Sequence, residues 1–132
     1  MNKFVLVCRI LLGLIFFIFG MIGVLHIKAG VLPGGDAGTY LTILMSHNVT
    51  TFVGLCQTIA GLLLLVGRYV PLALTILAPI IVNILLFHIL IETPPVVKEL
   101  IPAVLVAVLE VFLIFVYRRS FRGLFDANPE LV

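Results

Sequence analysis

The strongest constraint on this chain is a set of four long apolar segments, each of which matches the thickness of a lipid bilayer. The segments cover residues 4–27, 49–66, 69–91 and 100–117. A hydrocarbon core of about 30 Å is crossed by roughly 17–25 helical residues, because each residue rises about 1.5 Å. Every backbone N–H and C=O inside that core must be paired, and a helix does this within the segment. The sequence therefore predicts an all-α membrane protein, a four-transmembrane-helix bundle forming one domain over residues 1–132.

Composition supports this assignment and excludes other classes. Hydrophobic residues make up 63% of the chain and charged residues only 11%, whereas soluble domains carry about 25% charged residues. Lipid is therefore the partner that the surface requires. The net charge of +2 is spread along the chain and forms no basic stripe, so nucleic acid is not expected as a partner. Cys8 and Cys56 lie in apolar segments without CxxC spacing, as expected for free buried thiols.

The distribution of basic residues predicts the orientation in the membrane. With four spans, both termini and the turn between the second and third segments lie on one side. That side carries six of the eight basic residues, and the other side carries Lys28 and Lys98. The six are Lys3, Arg9, Arg68, Arg118, Arg119 and Arg122. Because cytoplasmic segments are enriched in lysine and arginine, both termini are predicted to be cytoplasmic. The first segment is too long for a signal peptide and is expected to be retained.

The connection between the first two segments contains a predicted short helix at about 36–46. Asp36 is placed to cap its N-terminus. Apolar or amphipathic residues then recur at helical spacing, at Ala37, Tyr40, Leu41 and Leu44. This stripe predicts either an amphipathic helix on the outer membrane surface or a lid over the bundle.

Four polar residues inside the segments form a predicted intramembrane cluster, either structural or ligand-binding: Arg9, Gln57, Asn83 and Glu110. An ionisable group at mid-span costs at least ~2.5–3.5 kcal/mol and needs a partner. Arg9 and Glu110 lie within roughly 3 Å of each other in predicted depth, counting 1.5 Å per residue. We therefore predict an Arg9–Glu110 ion pair with Gln57 beside it, and Asn83 facing the bundle nearer the outer side. The alternatives are that Arg9 extends to the headgroups and that Glu110 is protonated or hydrogen-bonded; whether a pair would be structural or proton-handling is open.

Small residues share the helical faces that carry these polar groups. They are Gly13, Gly20 and Gly23 in the first segment, Gly54 and Gly61 in the second, and Ala103 and Ala107 in the fourth. Small residues let membrane helices approach closely. The pattern predicts close helix contacts along these faces.

A second polar group is predicted near the outer boundary, at His26, His88 and Glu92. His88 and Glu92 are i, i+4 neighbours on one helix face. A metal site is conceivable, but no two histidines have ligand-pair spacing, so we predict no metal and interfacial or helix-capping histidines instead. No nucleophile motif, phosphate-binding loop or haem-attachment motif occurs in the chain. No catalytic residue is therefore predicted, and no cofactor is evident from the residues.

Several stretches resemble the DoxX family of small four-helix bacterial membrane proteins. They are residues 9–20 (RILLGLIFFIFG), 60–74 (AGLLLLVGRYVPLAL), 78–88 (APIIVNILLFH) and 117–122 (YRRSFR). The resemblance covers most of the chain. Two departures matter: members often carry Asn-Lys-Phe where this chain has residues 21–25, and often a Glu where it has Gln57.

The resemblance implies a location in the bacterial inner membrane and a link to redox chemistry, since the family is named for a subunit of thiosulfate:quinone oxidoreduction. The leading hypothesis is an accessory or interaction subunit of a membrane complex, without catalysis of its own. Its partner would be a membrane or peripheral redox protein, or a second copy in a homo-oligomer. The alternative is a small-molecule or lipid binder or carrier that uses the polar cluster, with a quinone as the implied ligand. A quinone-linked oxidoreductase subunit is the enzymatic alternative.

Overall fold

The structure is a computed structural model that describes residues 2–27, 30–92 and 97–131. Over these ranges the chain is helical, with turns between the helices and no β-strand. The α-helices are α1 (Lys3–Val24), α2 (Gly35–Ser46), α3 (Val49–Val66), α4 (Val70–Leu86) and α5 (Val97–Val116). One turn of π-helix, Phe87–Ile91, continues α4, and a 3₁₀ helix, Arg118–Phe125, follows α5.

Four of these helices are long and apolar enough to cross a membrane: α1, α3, α4 with its π-turn, and α5. Their outward faces carry large exposed apolar side chains such as Val7, Leu72 and Val111. Soluble monomers rarely expose apolar surface this continuously, so lipid is its natural environment. The prediction of an all-α bundle of four membrane-spanning helices is confirmed.

The spanning helices form a closed ring in which α1 contacts α3 and α5, and α4 contacts the same two helices. The rings of Phe4 and Phe112 meet edge to face at 5.4 Å, which places the start of α1 beside the end of α5. The helices therefore alternate in direction. Fully buried side chains fill the centre of the ring: Leu12, Phe16, Leu64, Leu74, Leu77 and Leu113.

Two helix boundaries differ by three residues from the predicted ones, and the other boundaries of the spanning segments agree within one residue. The first helix ends at Val24 rather than at residue 27, because His26 adopts a left-handed conformation with φ of 56°. The Ile27 N–H then donates to the Ile22 carbonyl at 3.1 Å and closes the helix end. The fourth spanning helix begins at Val97 rather than at residue 100. The apolar run in the sequence shows which part of a helix can lie in lipid. It does not show where the backbone leaves the helical conformation, or whether a polar first turn precedes the apolar part.

Helices α1 and α3 approach each other at glycines. A Cβ atom added at Gly61 would lie 2.7 Å from the Gly13 carbonyl oxygen and 2.6 Å from the Phe17 amide nitrogen. One added at Gly20 would lie 2.6 Å from the Gly54 carbonyl oxygen. The two backbones are thus in direct contact, as predicted from the small residues of these two segments.

Helix α2 packs over the end of the bundle opposite the termini. Its predicted stripe is its least exposed apolar face: Ala37 is buried, and Tyr40, Leu41 and Leu44 are partly buried. The Tyr40 ring lies 5.6 Å from the Phe87 ring of the π-turn, and α2 also contacts α3. The N-cap is Gly34, so Asp36 lies in the first turn and does not cap the helix as predicted. Of the two predicted arrangements, the contacts favour a lid over the bundle.

Candidate functional site

Arg9 is buried on α1, and its guanidinium group lies against the turn that ends α3. A Cβ atom at Gly67 would lie 2.8 Å from Arg9 Nη1 and 2.9 Å from Nη2. Gly67 has a φ of +80°, and its N–H donates to the Leu63 carbonyl at 2.9 Å. The last carbonyls of a helix carry partial negative charge that favours a nearby cation. Arg9 therefore reaches the C-terminal end of α3, and Gly67 leaves the space for it.

Glu110 is buried on α5, with 3% of the residue exposed. Neither carboxylate oxygen accepts a hydrogen bond from a residue that the structure describes. The predicted Arg9–Glu110 ion pair is therefore not formed. The reason is that the Arg9 side chain extends toward the C-terminal end of α3, where its guanidinium lies against Gly67. Because buried polar groups ordinarily have a partner, Glu110 is an exception that calls for a test.

The other two residues of the predicted cluster have different surroundings. Gln57 is partly buried on α3. Asn83 is exposed on α4, and its Nδ2 donates to the Tyr40 hydroxyl at 3.3 Å. Asn83 therefore faces the lid helix and not the bundle interior, contrary to the prediction, because the Tyr40 hydroxyl gives the amide a partner there. The recorded hydrogen bond of Asn83 thus goes to the helix over the bundle, and Glu110 accepts none from the described residues. A single structural or ligand-binding cluster of Arg9, Gln57, Asn83 and Glu110 stays a prediction.

Of the predicted outer residues, His26 is exposed, and its Nε2 lies 3.3 Å from the Thr51 hydroxyl. This contact joins the end of α1 to the start of α3. His26 is thereby held at the end of the bundle that α2 covers. The sequence alone does not predict this contact.

His88 and Glu92 are neighbours, as predicted, with 3.0 Å between His88 Nδ1 and Glu92 Oε2. The structure also brings in Glu99, from the first turn of α5. One ligand atom from each of the three residues lies within 4.8 Å of the others. Glu99 was not predicted as a member of this group because it belongs to another helix. One feature of the sequence could have indicated Glu99: Glu92 and Glu99 flank one short connection, which places both at the same end of the bundle.

A cavity of about 620 Å³ lies between the end of α1, the loop before α2, and the inner side of α2. It is partly open, and most of its lining is apolar. The lining residues are Ile22, Gly23, His26, Ile27, Gly30, Val31, Leu32, Pro33, Leu41, Met45 and Thr50. The binding pocket predicted from the sequence lies inside the bundle, at the polar cluster, and not at this cavity. One feature of the sequence could have indicated this cavity: the connection around 28–35 is longer than a tight turn requires.

The structure defines the class of protein. The chain is a multi-pass membrane protein of four spanning helices, with the short helix α2 packed over one end of the bundle. Comparison of the chain with protein-family models, with curated proteins and with solved structures finds no match. Membership of the DoxX family stays a prediction from the sequence.

Proposed function

We propose that the protein binds an apolar or amphipathic small molecule, lipid-like or quinone-like, in the cavity beneath α2. The observation that carries this proposal is the cavity itself. Its volume of about 620 Å³ falls within the roughly 300–1,000 Å³ typical of small-molecule sites. The lining is apolar along Ile22, Leu41 and Met45, which suits a hydrocarbon or isoprenoid group.

Two polar side chains in the cavity lining would orient such a ligand by hydrogen bonding. Thr50 and His26 belong to its lining. The Nε2 atom of His26 is engaged by Thr51, which holds the ring so that Nδ1 could exchange a hydrogen bond with a carbonyl or hydroxyl group of a ligand. An apolar cavity with a small number of fixed polar groups is the usual design of a site for an amphipathic molecule.

The proposed setting is the bacterial inner membrane, with both termini in the cytoplasm and the α2 end facing outward. The distribution of basic residues supports this orientation. The end with both termini and Arg68 carries most of the basic residues, and basic residues are retained on the cytoplasmic side. The bacterial origin rests on the DoxX resemblance. Under this proposal, the ligand enters from the outer leaflet or the outer aqueous side.

Filling the cavity should weaken ligand binding. Met45 lines the cavity and Ile43, on the same helix, does not; the two residues are similarly exposed, at 49% and 54%. We expect Met45→Trp to weaken binding of a short-chain quinone about tenfold, which corresponds to roughly 1.4 kcal/mol, and Ile43→Trp to leave it unchanged. Binding would be measured by titration of the detergent-purified chain, with native mass spectrometry of gently extracted protein to identify what it carries.

The outcomes separate the two predicted functions. A defined small molecule that is retained by the wild type and lost from Met45→Trp supports the binder. Equal retention in both tryptophan variants would refute the cavity as its site. A protein partner retained without any small molecule would instead support the accessory-subunit role that the DoxX resemblance implies.

The proposed orientation has its own test. Ser46, at the end of α2, and Ser120, after α5, are both exposed. In a background with Cys8→Ala and Cys56→Ala, we expect Ser46→Cys to react with a membrane-impermeant thiol reagent in intact cells. Ser120→Cys should react only after the membrane is permeabilised. The reverse pattern would place the termini outside.

A further inference from the structure

We propose that His88, Glu92 and Glu99 bind a divalent transition-metal cation of the Zn²⁺ class at the α2 end of the bundle. The three ligand atoms, one from each residue, already lie within 4.8 Å of one another. Metal–ligand bonds near 2.0–2.2 Å place neighbouring ligand atoms about 3–3.5 Å apart in a tetrahedral site. Modest side-chain rotation, for which the exposed Glu99 has room, would therefore complete the geometry.

The first supporting observation is the burial of the Glu92 carboxylate and the hydrogen bonding of its two oxygens. Only 4% of this residue is exposed. Its Oε2 is within hydrogen-bond distance of His88 Nδ1, at 3.0 Å, but its buried Oε1 has no hydrogen-bond partner among the described residues. An anionic oxygen held out of water without a donor is costly, and a bound cation would compensate it.

The second supporting observation is the backbone that holds the pair. The turn that continues α4 is a π-helix, Phe87–Ile91, and the Glu92 N–H donates to the Phe87 carbonyl at 2.8 Å. Single π-turns within α-helices are rare and occur frequently at functional sites. This turn carries His88 and leads directly into Glu92, so the local irregularity coincides with two of the three ligands.

The donor set determines the class of metal. One imidazole nitrogen with two carboxylate oxygens suits Zn²⁺ and related first-row ions, and three protein ligands leave a position for water. Ca²⁺ and Mg²⁺ prefer sites made of oxygen alone. The site lies between the end of α4 and the start of α5, and none of its three residues lines the cavity formed by α1, α2 and α3. It is therefore independent of the proposed small-molecule function.

The test is equilibrium dialysis of the full-length purified chain against Zn²⁺, with the bound metal quantified by mass spectrometry. Purification would use an affinity tag without histidine. We expect about one Zn²⁺ per wild-type chain. Glu99→Gln should bind at least about tenfold more weakly, because even an outer-shell change commonly costs 10–100-fold in metal affinity. Glu130→Gln makes the same chemical change at an exposed position far along the chain, and should bind like the wild type.

A second readout separates metal binding from folding. Glu99 is exposed, and its side chain makes no hydrogen bond to a residue that the structure describes, so Glu99→Gln should melt like the wild type in the absence of metal. Added Zn²⁺ should raise the melting temperature of the wild type and of His47→Gln, an exposed histidine outside the cluster, but not that of Glu99→Gln. Absence of bound Zn²⁺ in the wild type, or equal binding by Glu99→Gln, would overturn the proposal.

Discussion

Replacing Gly61 with leucine is expected to destabilise the bundle by roughly 3 kcal/mol or more, at or above the upper end of the usual cost of overpacking. A Cβ atom at this position would already lie 2.6 Å from the Phe17 amide nitrogen and 2.7 Å from the Gly13 carbonyl oxygen. Both obstacles are backbone atoms of α1, so a larger side chain can be accommodated only if the helices separate. Separation would also open the contacts of Phe16 and Leu64, which are almost completely buried.

The measurement is reversible unfolding of the purified protein in mixed micelles, followed by circular dichroism. Gly123→Leu is the matched control, because no atom lies within 4 Å of a Cβ atom added at that glycine. Its midpoint should stay close to that of the wild type, and Gly61→Ala should fall between the two leucine variants. A Gly61→Leu midpoint equal to that of the wild type would show that α1 and α3 do not approach at this glycine.

Replacing Glu110 with leucine is expected to stabilise the protein by about 1–3 kcal/mol, the range that protein mutations give for burying an unpaired polar group. Both carboxylate oxygens are buried and accept no hydrogen bond from the described residues. Leucine fits an environment that already contains the buried Leu113, and it removes the cost of the buried carboxyl. Glu110→Gln keeps a buried polar group and should gain much less.

The same unfolding measurement tests whether Glu110 is coupled to Arg9. The ion pair predicted from the sequence requires that the effects of Arg9→Gln and Glu110→Gln be strongly non-additive. The structure places the Arg9 guanidinium against Gly67, so we expect the double variant to be additive within about 0.5 kcal/mol. A loss of stability in Glu110→Leu, together with a large coupling, would establish the pair. A gain in stability with a loss of ligand or partner binding would instead assign Glu110 a function that is maintained at the expense of stability.

The sequence alone was sufficient for the architecture because the bilayer imposes simple rules. Segment length and apolarity determine where the chain can cross the membrane, and the four predicted segments overlap the four spanning helices. The helical spacing of Ala37, Tyr40, Leu41 and Leu44 identified the packed face of α2. Gly13, Gly20, Gly54 and Gly61 marked the contact between α1 and α3. These are properties of one helix at a time, and they can be counted along the chain.

The tertiary structure decided which polar groups meet, because their partners come from other helices. Similar depth in the membrane suggested a pair between Arg9 and Glu110, but the rotation of each helix and the space at Gly67 direct the arginine elsewhere. Asn83 meets Tyr40 only because α2 folds back over α4. Glu99 joins His88 and Glu92 across a connection between two helices, and the cavity forms where a loop and three helices converge. Spacing in sequence can place two residues at the same end of the bundle but does not determine these distances, since side-chain contacts between helices depend on crossing geometry and rotation.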